Sequence, residues 1–134
     1  MRRLSVLLTI FLMAACSQPT PEELASLAAK GYYDHLIHGE YEKFLEGVDM
    51  PSYAETLSSK ESSGYREQLL DSYRMYMSLQ EKAHRGIREV RIVRASTDSL
   101  ADYTSVFLVL CFGDSTNEEI VVPMVEREGR WRMK

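Results

Sequence analysis

Cysteine is close to absent from this 134-residue chain, with only Cys16 and Cys111 present. That scarcity excludes a disulfide-stapled scaffold and any paired-thiolate zinc spacing. Long apolar runs are lacking too. The longest, Leu4 to Ala15, has only Ser5 and Thr9 as polar members. As a helix it spans about 18 Å, where a membrane crossing needs about 20 residues. Excess positive charge is also missing: the net charge is −4, which gives no electrostatic reason to approach nucleic acid. No glycine-rich phosphate loop, nucleophilic triad, internal repeat or low-complexity tract occurs.

What the front of the chain does contain is an export pattern. Arg2 and Arg3 precede the apolar run, and small residues close it before Cys16. The tetrapeptide "MAAC", Met13 to Cys16, resembles the lipobox of bacterial lipoproteins, with Met13 where leucine is most usual. The resemblance implies a signal peptide over residues 1–15, cleavage before Cys16, and diacylglycerol on its thiol. An ordinary secreted protein cut after Ala15 is the alternative. Each buried methylene contributes about 0.8 kcal/mol, so two or three acyl chains hold a protein on a bilayer. Ser17 is not the aspartate that retains lipoproteins at the inner membrane, which favours the outer membrane. Residues 16–19 then form a tether reaching little more than about 10 Å, and residues 20–134 form one domain. Losing Arg2 and Arg3 takes its net charge to −6. With Cys16 acylated no disulfide can form, and Cys111, in "FLVLCFG", reads as a buried, inert thiol.

The domain reads as helices followed by strands. Thr20, Pro21 and Glu23 mark a helix start. Leu24, Ala25, Ala28, Ala29, Tyr32 and Leu36 share one face, Ser26, Lys30, Asp34 and His38 oppose them, and the helix stops near Gly39. A short helix through "EYEKFLEG" buries Tyr41, Phe44 and Leu45. Residues 49–63, with Pro51, read as loop with one or two helical turns. Tyr65 to Arg85 is the strongest helical pattern, with Tyr65, Leu69, Tyr73, Tyr76, Leu79 and Ala83 on its apolar side. After Gly86 the period changes to that of strands: Ile87 to Ala95, Asp102 to Phe112, the run "EEIVVPMVER", and Arg130 to Met133. The short turns between them require antiparallel pairing. Pro123 predicts an edge, a bulge or an amide pointing off the ladder.

Helices first and a strand meander second is an α+β order. The stretches "HGEYEKFL", "YREQLLDSYRMYM", "GIREVRIV", "FGDSTNEE" and "EREGRW" resemble the nuclear transport factor 2-like superfamily, and in particular its small bacterial lipoproteins. The resemblance implies N-terminal helices packed on a curved antiparallel sheet of about four strands, forming a cone. Because the chain ends three residues after Trp131, the last strand is short and the cone is expected to be open at that edge.

Enzymes of that superfamily, the ketosteroid isomerases among them, bury a carboxylate and a phenol or acid donor in the cone, where burial raises carboxyl pKa values. Here Asp34 and Asp71 fall on polar helix faces and Asp98, Asp102 and Asp114 at turns. His35 and His38 lie one turn apart with no cysteine or further histidine nearby, so Asp34 or Glu42 would have to complete a metal set; they read as two surface histidines and no metal or cofactor is expected. Arg88, Arg91 and Arg94 alternate along the first strand as a solvated face. Tyr32, His35, Tyr73, Tyr76 and Trp131 are the candidate pocket lining, although core packing is the favoured account of the tyrosines on the long helix. The functional expectation is a lipid-anchored, non-catalytic module of the cell envelope that binds a small apolar ligand or an envelope protein. Its first partner is the bilayer itself, and a homodimer through the sheet face stays open. A cryptic isomerase- or hydrolase-like enzyme and a structural subunit of an envelope complex are the alternatives.

Overall fold

The computed structural model describes residues 17–50 and 56–134. The leader, Cys16 and the part of the expected loop around Pro51 lie outside those residues. The element order is α1 (Pro21–Ile37), α2 (Tyr41–Glu46), α3 (Ser59–His84), β1 (Ile87–Thr97), β2 (Thr104–Phe112), β3 (Asn117–Arg127) and β4 (Arg130–Met133). The strands form one antiparallel sheet in the order β1-β2-β3-β4, so the expected α+β arrangement is the one found.

Thr20 caps α1 by accepting the Glu23 amide at 3.2 Å, and Pro21 occupies the first turn. The helix lies across the sheet, but the face it buries differs from the sequence expectation. Ala25 and Ala29 are fully buried and Ser26 nearly so, whereas Leu24 and Leu27 are exposed. Small side chains let the helix backbone sit close to the strands. Ser26 tolerates burial because its hydroxyl donates to the Glu22 carbonyl at 2.8 Å.

Helix α3 begins at Ser59, not at Tyr65. Ser58 Oγ accepts the Glu61 amide at 3.2 Å and Glu61 Oε2 accepts the Ser58 amide at 3.0 Å, a complete capping box that extends the helix into the expected loop. Arg85 and Gly86 end it in left-handed conformations, with φ of 62° and 81°. Tyr73, Tyr76 and Met77 pack on the core, but Leu79 and Ala83 are exposed, contrary to expectation. The last turns of α3 run out towards the β2–β3 turn. There His84 stacks on Phe112 and its Nδ1 lies 2.9 Å from Asp114 Oδ2.

Strand β2 is interior, and its alternation places Val106, Leu108, Leu110 and Phe112 in the core with Val90, Val122 and Met124. Register shifts in β1 between Ile87 and Glu89 and between Ile92 and Arg94 bend that edge. Pro123 sits in interior β3 and is accommodated as an amide off the ladder. Its carbonyl accepts the Lys134 amide at 2.8 Å, so its nitrogen faces the same side, just where β4 stops. Glu128 and Gly129, with φ of 54° and 78°, make the two-residue turn into β4.

The sheet is open, with β4 at its edge as expected, but the end of that strand is bridged. Met133 donates to the Gly47 carbonyl and Asp49 donates to the Met133 carbonyl, both at 2.6 Å, and Val48 bridges Met133 in parallel. The segment after α2 thus covers the last strand. Among the described residues, β1 is the sheet's unpaired edge.

Candidate functional site

The tyrosines expected to line a pocket are built into the packing. Tyr32 donates its hydroxyl to the Trp131 carbonyl at 2.7 Å, tying α1 to β4. Its ring lies flat against Gly47, where any Cβ would collide with it. Phe44 takes edge-on contacts from Tyr33 and Tyr73, with ring centres 5.3 Å and 4.9 Å apart. Burial, with the neighbouring Tyr76 and Tyr73 phenols, pushes the Tyr33 pKa up to about 12. Burial also raises Tyr73, and burial with the nearby Glu118 charge raises Tyr76. These phenols therefore stay protonated. Tyr33 was missing from the candidate set, although its spacing four residues after Ala29, itself four after Ala25, places it on the buried stripe.

His35 Nδ1 contacts Glu40 Oε1 at 3.1 Å, and His38 is exposed. Hydrogen bonds from Lys43 and from His35 bring Glu40 down to about 2. Asp114 is likewise brought down to about 2 by the Thr116 hydroxyl, His84 and the Thr116 amide. Both are exposed, permanently charged carboxylates, the opposite of a buried proton carrier. Among the described residues, no group of three or more His, Cys, Asp or Glu side chains could hold a metal ion.

Three of the concave regions around this packed interior differ in their chemistry. A groove of about 440 Å³ runs between α1 and β1, walled by Ser26, Leu27, Ile92 and Ala95, with Glu22, Glu23 and Arg94 at its rim. A second, of about 360 Å³, joins Trp131 to Glu22, Asp102 and Glu126. Of the five candidate pocket residues only Trp131 lines one of these spaces; Tyr32, His35, Tyr73 and Tyr76 line none of the three.

The third is smaller and chemically more specific. About 250 Å³ lies at the corner where α2, the start of α3 and β4 meet. Leu45, Val48 and Met50 give it an apolar wall, and Ser62, Arg66 and Arg132 line the rest together with Glu46. The corner exists because the chain after α2 is zipped onto β4, which brings Arg132 beside the first turns of α3. Arg132 Nε is buried and, among the described residues, has no hydrogen-bond partner. A guanidinium keeps its charge at any physiological pH, so a buried face of it without an acceptor is an unmet demand for an anion. Arg66 reaches Glu42 Oε2 only at 3.8 Å, with both side chains well exposed. The arrangement can grip an oxyanion. Neither arginine was legible beforehand, since "YREQ" and "RWRM" look like ordinary surface sequence.

The outer face of the sheet carries Phe107, Val109 and Cys111, each half-buried. Arg94 lies 3.6 Å over the Phe107 ring, and Val121, opposite Phe107, is exposed. Cys111 is therefore on the outer face beside Glu89 and Asn117, not in the core as expected. Among the described residues, no helix is long and apolar enough to cross a membrane.

No protein-family model and no curated protein matches the sequence. A solved structure does match the architecture: an NTF2-like protein from Campylobacter jejuni, conjecturally described as a transpeptidase. The match has a TM-score of 0.60 and 14% identity, and it covers 78% of this chain and 92% of that one. At that identity the likeness speaks for the fold alone: helices packed on an open four-stranded antiparallel sheet, an α+β fold similar to that of the NTF2-like structure.

Proposed function

We propose that this protein is an exported, lipid-anchored module of the cell envelope that binds a ligand without transforming it, moored through acylated Cys16 at the outer membrane. The anchoring rests on the basic start, the short apolar run and "MAAC". Only Ser17 to Thr20 separate Cys16 from α1, so the domain rides within about 10 to 15 Å of the bilayer. The observation that carries the binding part is Arg132, whose buried Nε lacks a partner among the described residues and lies beside a solvent-reachable cavity. Support for binding without catalysis comes from the carboxylates: Glu40 and Asp114 are exposed and paired, and Asp34 forms a 2.7 Å ion pair with Lys30 on the surface of α1.

The anchoring is tested by Cys16→Ser. Expressed in a diderm bacterium, the wild-type chain should sediment with membranes and the variant should be soluble, with an unchanged circular dichroism spectrum. A C16S protein that still pellets with membranes contradicts the anchoring.

A further inference from the structure

We infer that the corner between α2, α3 and β4 binds a small organic anion, one oxyanion head group on an apolar body, with Arg132 and Arg66 as its two cationic contacts. The inference deepens the binding reading above and rests on it, but is independent of lipid attachment.

The first argument is electrostatic. Arg132 projects from a strand held on both sides, paired with Val125 in β3 and flanked by Met133, whose backbone is bonded to Gly47 and Asp49. The backbone cannot easily withdraw it, and among the described residues no acceptor meets its Nε. The side chain as a whole is half-buried, but a charged nitrogen taken out of water without an acceptor is unfavourable, and an anion from outside satisfies it. The planar fork of a guanidinium presents Nε and a terminal nitrogen to two oxygens of one carboxylate or phosphate.

The second argument is the competition for each arginine. Arg66 is occupied only by the long, exposed contact to Glu42, of a kind that contributes little in water. A bound anion gains Arg66 at small loss. Glu46 also lines the space, but it is exposed, its field is felt by Lys43, and it forms no ion pair with either guanidinium among the described residues. The Ser62 hydroxyl, in the first turn of α3, adds a neutral donor on the same wall.

The third argument is size and polarity. A space of about 250 Å³ lies below the range that takes drug-sized molecules. Leu45 is buried and Val48 and Met50 partly so, which gives the part of the wall away from the arginines an apolar character. A bare inorganic ion leaves that wall unused, whereas a short branched carboxylate or phosphate ester fills both parts.

The test is isothermal titration calorimetry on the full chain in nonionic detergent, with 4-methylpentanoate and 3-methylbutyl phosphate as probes and acetate and inorganic phosphate as their tail-less counterparts. At least one tailed probe should saturate, more tightly than its counterpart, and the better of the two identifies the head group. Arg132→Gln and Arg66→Gln should each weaken binding by about tenfold or more. Partitioning into detergent is the same for all variants, so the difference reports the corner. Arg66 is 46% exposed, so R66Q keeps the fold and decides the matter even if R132Q melts early. Absence of saturation by either tailed probe up to about 10 mM, or R66Q titrating like the wild type, overturns the inference. That failure leaves the sedimentation result for C16S untouched, so the anchor and the site stand or fall separately.

Discussion

Single side chains in this protein do their work by being held, and Asp114 is the clearest case. The Thr116 hydroxyl, the His84 ring and the Thr116 amide fix it as an anion, which brings its pKa from an ordinary 3.8 to about 2. A carboxyl depressed in the fold stabilises the native state fully above its unfolded value and loses that contribution as pH falls through the folded one. Thermal melts should therefore fall as pH drops from about 4 to about 2. Asp114→Ala should lower the neutral-pH melting temperature and flatten that acid dependence, leaving the part owed to Glu40, also at about 2. An acid slope as steep in D114A as in the wild type contradicts the assignment. At this scale the sequence was least informative. Asp114 could be placed in a turn from "GDSTN", but its contact with His84 joins positions 30 residues apart, and no local pattern encodes it. The lone Nε of Arg132 is the same kind of fact, created by which strand lies beside which helix.

At the level of elements, the chain is more readable. Helix α1, the strand alternation of β2 and the turn at Glu128–Gly129 follow from caps, periods and glycine placement. Two misjudgements have physical causes. The start of α3 was hidden because its first turns are polar all round, so periodicity failed; the Ser58–Glu61 box was the signal that remained. Leu24 was overrated, and Ser26 wrongly placed on the polar face, because close packing on the sheet selects the small residues of α1, Ala25, Ser26 and Ala29, over the large ones. The cap also positions the corner cavity, since Ser62 and Arg66 lie in the first two turns of α3. Ser58→Ala should lower the unfolding free energy by about 1 kcal/mol, measured by urea denaturation, with fraying confined to that end in amide exchange. An unchanged midpoint would show that the helix start is set by something other than the box. Strand β1 is the exposed edge, and its outward Arg91 and Arg94 and its register shifts guard it against pairing with other chains.

The whole molecule has an NTF2-like α+β fold in which its own aromatic side chains pack against the core. A filled centre moves the binding proposal away from the apolar cone expected from Tyr73, Tyr76 and Trp131 and out to the corner that β4 and the Gly47–Asp49 segment create. That relocation was not legible in sequence, because it depends on the two ends of the domain meeting at Val48 and Met133. The proposed address depends on other residues entirely, those at the very start of the chain. Intact mass spectrometry of the protein extracted from membranes tests it most directly. The account requires a mature polypeptide that begins at Cys16 and carries the added mass of a diacylglyceryl group. A chain that begins at any other residue, or an unmodified Cys16, contradicts it.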